Sequence, residues 1–416
     1  MISIQNIDEF IQKSEQKCQK QFEEIDKIAL YNQEKVLKAF QKNAVQARHF
    51  YGTTGYGYDD VGRDTLNRVF SDVFQCEDAI VSPMIMSGTH ALTLALFGIL
   101  RPGDTFLSIA GDLYDTLYDV IYGKNIGSLA DFNISFDKID LKNGAFDEEN
   151  IIKTIENEKT RPKMVFIQRS RGYSWRDALS IDAISDIIRK IRQKNKDIIV
   201  AVDNCYGEFI DYLEPTNVGA DLIVGSLIKN AGGGIAPTGA YLAGKAEVIR
   251  QISYRFTSPS IGNEIGSYLG GYLPFYQGLF MAPITVKNAV KGSILFGQVY
   301  NDLGYETLPN PGVKCNDIIR SIKFDTEDEL VEFIRGVQAS APIDSNVVPY
   351  PWDMPGYNDQ VIMAAGAFVQ GSSIELSADS PIRKPYVAYL QGSLTYEHAK
   401  IAVKQTIEYL IKNAKK

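Results

Sequence analysis

The chain has 416 residues, 45% of them hydrophobic and 23% charged, with a formal net charge of -8 at pH 7. That is enough apolar material for more than one packed unit, and the negative balance leaves no general attraction to nucleic acid or to an anionic membrane. Four cysteines without a CxxC pair and only three histidines speak against a zinc site or a disulfide framework, so no metal is expected, and a reduced, cytoplasmic setting is.

The first twenty residues mix charge with apolar positions and lack the continuous hydrophobic stretch of a signal peptide. Up to about residue 50 apolar side chains recur at helical spacing. In FEEIDKIALYNQEKVLKAF, residues Phe22, Ile25, Ile28, Ala29 and Tyr31 fall on one face, which predicts an amphipathic arm. The glycines and tyrosines of HFYGTTGYGYDDVGRDTL then predict an ordered loop. From about residue 76 to 245, short apolar runs (DAIVSPMI, DTFLSI, PKMVFIQ, DIIVAVDN, ADLIVGS) alternate with helical stretches. This predicts an α/β unit with a mainly parallel sheet covered on both faces, whose site lies at the carboxyl ends of the strands.

The stretch from Phe256 to Val286 carries one charge, Glu264, yet its prolines, glycines and serines do not suit a membrane span. It reads as a buried loop or a subunit interface. After Pro283, TVKNAVKGSILFGQVYNDLG predicts a long helix leading to a smaller α+β unit, with strands in DIIRSIKF and SIELSA and a closing helix, TYEHAKIAVKQTIEYLIKNAKK. The expected division is an N-terminal arm and loop over 1–60, a large domain over 61–285 and a small domain over 286–416.

Three features fall at the predicted strand ends. Asp203 closes DIIVAVD, Ser226 and Lys229 follow DLIVG, and Ser87, Gly88 and Thr89 open the helix after DAIVSPMIM. Each has an ordinary explanation. A strand-end carboxylate caps a helix, a serine before a helix is an N-cap, and a lysine in a Gly-rich turn is solvated. Together they meet the needs of pyridoxal phosphate: an amine to form an imine, a carboxylate to keep the ring nitrogen protonated, and a helix N-terminus for the phosphate. Gly232, Gly233 and Gly234 are expected to let the backbone pass close to the cofactor. A nucleotide-binding P-loop fits poorly, because LIKNAGGG lacks glycines before the lysine and Ser/Thr after it.

The segment VAVDNCYGEFIDYLEPTNVGADLIVGSLIKNAGGGIAPTGAYLAG resembles the Cys/Met-metabolism group of pyridoxal-phosphate enzymes, which includes methionine gamma-lyase and cystathionine beta-lyase. Through nearly its whole length, including PYPWDMPGYNDQVIMAAG and SSIELSADSPIRKPYVAYLQG, the chain resembles the branch called aluminium-resistance proteins. The resemblance implies the aspartate-aminotransferase-like fold (fold type I), pyridoxal 5'-phosphate as cofactor, and β- or γ-elimination on a small, sulfur-containing amino acid. It also implies a homodimer or homotetramer with shared sites, the arm and the Gly/Tyr loop crossing to a partner.

By the same resemblance Lys229 holds the cofactor and moves the proton at the substrate's α-carbon, Asp203 serves the ring nitrogen, and Ser87, Gly88, Thr89 and Ser226 serve the phosphate. Tyr114 in GDLYDTLYD stacks on the ring, and Tyr58 reaches a neighbouring subunit's phosphate. Three positions depart from the group. Asp60 stands where the group has an arginine, with Arg63 nearby to compensate. Ile228 stands where it has a hydroxyl residue, and RSRGYSW replaces SPxNP, leaving Arg171 and Tyr173 as candidates there. An amino-acid substrate needs a cation for its carboxylate, and Arg383 in SADSPIRKPY is the first choice. His90 is expected to pack in the first helical turn, and Trp352 and Asp353 to be structural. The cofactor does not choose the bond to be broken, so transamination and racemisation stand as alternatives, and a non-catalytic binding module stands outside the enzyme reading.

Overall fold

The computed structural model describes residues 6–159, 161–354 and 359–413, so part of PYPWDMPGYND lies outside the described residues. The chain opens with helix α1 (Ile7–Lys42) and, after the Gly/Tyr loop, α2 (Val61–Val73). Next come β1 (Asp78–Ser82), α3 (Gly88–Ile99), β2 (Thr105–Ser108), α4 (Tyr118–Tyr122), β3 (Ser135–Lys138), α5 (Glu148–Glu156), β4 (Met164–Gln168) and α6 (Ile181–Lys194). The large unit ends with β5 (Ile199–Asp203), β6 (Leu222–Ser226), β7 (Ala240–Gly244) and α7 (Ala246–Phe256).

These strands form one sheet in the order β1-β7-β6-β5-β4-β2-β3. The run from β6 to β3 is parallel, and β7 opposes both its neighbours. Strands β4, β6 and β7 are buried at every position, as strands covered on both faces must be. The register pairs Gln168 with Asp203 and Asp203 with Val224, so β4, β5 and β6 finish level at one edge.

Helix α8 (Leu273–Asp302) leads into a second, antiparallel sheet of order β10-β11-β12-β9-β8. It is built from β8 (Glu306–Leu308), β9 (Arg320–Phe324), β10 (Val361–Ala364), β11 (Ser377–Pro381) and β12 (Tyr386–Gln391), with α9 (Glu327–Ala339) and the closing α10 (Tyr396–Asn413) beside it. Helix α8 begins well before the pattern that predicts it, because LPFYQGLFMA carries no charge and so displays no polar face. A division at 285/286 falls inside this helix, which runs through Pro283 without ending.

The arm also departs from expectation. Phe22, Ile25 and Ile28 are buried and the seam continues through Asn32 and Val36, but Ala29 is half-buried and Tyr31 is 39% exposed, so the apolar face is a narrow heptad-like stripe. That stripe is used within the chain. Ser14 Oγ donates to Asp302 at 2.6 Å, Lys291 pairs with Asp26 at 2.7 Å, and Tyr396 and Lys400 both donate to Glu15 at 2.6 Å. The arm expected to cross to a partner lies along α8 and α10 of its own chain.

The loop after β6 is fastened to α8. A Cβ on Gly232 would strike the carbonyl oxygen of Leu227, one on Gly233 (φ +60°) the carbonyl of Gly278, and one on Gly278 the carbonyl of Gly232. Thr285 Oγ1 donates to Gly233 O at 3.1 Å. The glycines are thus required for close approach to the chain's own backbone, which corrects the expectation that they make room for a cofactor. Gly278→Ala should therefore destabilise the protein by about 1–3 kcal/mol through overpacking. A lowered thermal midpoint is expected, and an unchanged midpoint would count against this fastening.

Candidate active site

Lys229 stands on the loop after β6, half-buried, and lines the inner cavity. The Nζ sits 4.1 Å from the ring centroid of Tyr206, and no carboxylate of the described residues forms an ion pair with it. Burial pulls the ammonium pKa down, while the neighbouring acid groups Cys205, Tyr206, Asp203 and Glu208 act in the opposite sense and the net direction is upward. Burial also pushes up the Cys205 thiol and the Tyr206 phenol, which keeps both neutral at ordinary pH.

Asp203 ends β5, and its Oδ1 accepts from the backbone N–H of Cys205 at 3.1 Å. The loop that follows is strained: Tyr206 and Phe209 have φ of +72° and +62°, a conformation that costs bulky residues about 1–3 kcal/mol each. A buried polar scaffold holds it there. Arg169 Nη1 donates to Asn204 Oδ1 and to Gly207 O, both at 2.8 Å. Asn204 Nδ2 donates to Glu214 Oε2 at 3.0 Å, and Glu214 Oε1 accepts from Phe209 N at 2.9 Å. Gly207 packs so tightly on the Arg169 guanidinium that no Cβ fits. Beneath the loop, burial raises the Glu208 carboxyl to about 8, and its Oε1 accepts from Tyr241 Oη at 2.8 Å.

The third element is the start of α3. Ser87 is its N-cap, with Oγ accepting from His90 N at 3.0 Å, and His90 Nδ1 accepts from Met86 N at 3.2 Å, so both side chains shape the turn. Gly88 lies next to Ser226: a Cβ added there would be 3.7 Å from the serine's Cβ. Gly88, Thr89, Tyr114, Asp203 and Lys229 all line one cavity of about 130 Å³, closed by Ser170, Gly172, Tyr173, Cys205 and Tyr206 from the loops and by Ile319, Asp379, Tyr389 and Gln391 of the small sheet. An amine without an ion partner, a strand-end acid, a helix N-terminus and an aromatic ring around one cavity are the donor set that pyridoxal phosphate requires.

Other expected residues are placed differently. Tyr114 and Tyr173 line both this cavity and a larger outer one of about 860 Å³. Arg171 is fully buried and committed: its guanidinium pairs with both oxygens of Asp317 at 3.3 and 3.1 Å and donates to Leu308 O at 2.9 Å. Arg383 lies on the outer cavity, half-exposed and paired with Asp359 at 2.9 Å. Neither arginine lines the inner cavity, because each already answers a carboxylate elsewhere. Tyr58 is 63% exposed, its ring against Tyr56, outside both cavities.

Asp60 caps α2, accepting from Gly62 N and Arg63 N at 3.0 Å and from Tyr272 Oη at 2.8 Å. Arg63, expected to compensate, is buried and donates to the carbonyls of Gly57 and Gly266. Trp352 N donates to Val361 O, tying the segment before β10 to that strand.

Sequence reasoning missed the residues that close the cavity from the small sheet. Asp379 and Tyr389 are cross-strand partners, as are Ser377 and Gln391, so alternation along β11 and β12 puts Asp379, Tyr389 and Gln391 on the cavity side. The acid in the middle of SADSP was the available signal. Tyr206 and Cys205 were missed because nothing in VDNCYGEF announces a left-handed turn.

The family model described as methionine gamma-lyase matches residues 7–411. The uncharacterised protein YnbB of Bacillus subtilis (strain 168) is 48% identical over 392 residues, 93% of this chain and 92% of its own. The crystal structure of a carbon-sulfur lyase involved in aluminium resistance from Clostridium novyi NT superposes with a TM-score of 0.93 at 50% identity, covering 97% of this chain and 95% of that one. At 15% identity the pyridoxal-5'-phosphate-dependent protein YhfS of Escherichia coli superposes with a TM-score of 0.62 over 93% of this chain and 97% of its own, a likeness of fold alone. With a fold-type-I architecture and a match spanning almost its whole length, the chain belongs to the methionine gamma-lyase family of pyridoxal-phosphate-dependent enzymes.

Proposed function

We propose that this protein cleaves a carbon-sulfur bond of a small amino acid by β- or γ-elimination, with pyridoxal phosphate attached to Lys229. The observation that carries the reading is Lys229, without an ion partner among the described residues, on the wall of the cavity that also takes in Asp203 and the first residues of α3. When bound, pyridoxal phosphate supplies an electron sink for a bond broken at the substrate's α-carbon.

The chain's own groups do the rest. Asp203 holds a proton on the ring nitrogen. The N–H groups of Gly88 and Thr89 and the hydroxyl of Ser226 bind the phosphate, with Ser87 capping the helix that presents them. Tyr114 covers the ring. Lys229, displaced by the substrate's amine, takes the proton from the α-carbon. Tyr58, exposed on the Gly/Tyr loop, is assigned to a neighbouring subunit's phosphate in a homodimer or homotetramer. Arg171 drops out of the substrate-binding set because its charge is already matched.

The purified protein should show a visible absorbance band that borohydride abolishes, and Lys229→Ala should lose it; a band retained in that variant would remove Lys229 from the scheme. Asp203→Asn should keep the band but lower turnover about 10²-fold or more. With cysteine, cystathionine or methionine, keto acid should appear without any added amino acceptor. Turnover only with an acceptor would reject elimination.

A further inference from the structure

The inner cavity contains an acid that the proposed chemistry does not use. Asp379 sits on β11 and lines the cavity together with Lys229. Its side chain has no hydrogen-bond or ion partner among the described residues, unlike Asp203, Glu208 and Glu214, which each accept from a backbone or side-chain donor. Among the described residues no arginine or second lysine lines that cavity. A substrate α-carboxylate placed against this wall would meet an acid and, apart from Lys229, no cation among the described residues.

Burial raises the Asp379 carboxyl to about 7, and the charge of Lys229 acts in the opposite sense. Once Lys229 is engaged with a cofactor, that cation is withdrawn and Asp379 lacks a positive neighbour. The approach has the same sign. On the outer cavity Arg383 answers Asp359 and Lys138 answers Asp112, while Asp115 and Asp119 have no ion partner among the described residues. Arg176, on the same wall, donates to the carbonyls of Ser170 and Asp177.

We propose that Asp379 is a specificity-determining residue that receives a cationic end of the substrate's side chain, so that the amino acid accepted carries a second ammonium group beyond its sulfur. The inference rests on the elimination reading above. The substrate's α-amine is used in displacing Lys229, so the cation that meets Asp379 comes from the side chain. A buried acid built to pair with an ammonium rejects the apolar isostere, because binding the isostere leaves the acid unpaired.

The test compares S-(2-aminoethyl)cysteine with S-propylcysteine, which have equal numbers of non-hydrogen atoms and differ in a terminal ammonium or methyl. Affinity is read from the change in the visible band of the holoenzyme and turnover from keto acid release. The unsubstituted protein should bind the aminoethyl compound at least about tenfold more tightly. Asp379→Asn should bring the ratio near one, by weakening the aminoethyl compound and relieving the penalty on S-propylcysteine; Asp379→Ser carries the same comparison if the asparagine variant does not fold. Equal affinities in the unsubstituted protein would overturn the proposal alone, as would a folded variant that keeps the preference. If neither compound alters the band or releases keto acid, the elimination reading fails and the proposal falls with it.

Discussion

A positive charge drawn into a cavity with no ion partner among the described residues sets the terms for the rest of the molecule. Desolvating an ammonium is costly, and the usual remedy is a carboxylate in contact. Around Lys229 the remedy is only partial: an aromatic face at 4.1 Å and acids in the vicinity but none paired with it. Such an amine must be imposed by its surroundings, and the surroundings are correspondingly rigid. The loop that bears it is wedged against α8 through Gly232, Gly233 and Gly278. The loop that carries Tyr206 keeps its left-handed turn only because Arg169, Asn204 and Glu214 hold it by buried hydrogen bonds.

Three acids surround the amine, and their partners divide the work among them. Glu208 shares a hydrogen bond with Tyr241 in a fully buried site and is pushed to about 8, so at neutral pH it is mostly a neutral acid that supports the loop. Asp203 accepts from a backbone N–H at the end of a strand, which fixes where its carboxylate sits. Asp379 has neither kind of partner and faces the open cavity. The three carboxyl groups differ in desolvation and hydrogen bonding over a short distance, which is how such sites separate their roles.

Much of this was legible in the sequence, for reasons that are local. Continuous apolar runs such as MVFIQ and IVAVD betray doubly covered strands, and the residue that ends each run marks the functional edge, so Asp203, Ser226 and Lys229 could be found by position alone. Ser87 could be read as an N-cap from its place before an apolar run. What resisted reading depends on contacts distant in sequence. Nothing local distinguishes Arg171, bound to Asp317, from Arg383, half-exposed beside Asp359, although the first was a candidate for the loop that replaces SPxNP and the second the first choice for a substrate carboxylate. The start of α8 was hidden because its exposed positions, Leu273, Phe280 and Met281 among them, are themselves apolar and form no polar stripe. The glycines after Lys229 were recognised as a close approach, but what they approach is set by a helix more than forty residues away.

The Arg171–Asp317 pair also bears on how the cavity works. Arg171 is on the loop after β4, while Asp317, Leu308 and Ser321, which accept from it, belong to the small sheet and its approach. Tyr389 Oη, on β12, donates to Tyr173 O on the same loop at 2.6 Å. Separating one partner from a fully buried ion pair costs about 3–5 kcal/mol, so the small sheet cannot swing away from this loop without a penalty comparable to a large part of a domain's net stability. The wall that carries Asp379, Tyr389 and Gln391 is therefore fixed relative to Lys229 before any substrate arrives. Selection in such a cavity operates through fixed groups whose charge a substrate must match, rather than through closure around whatever enters.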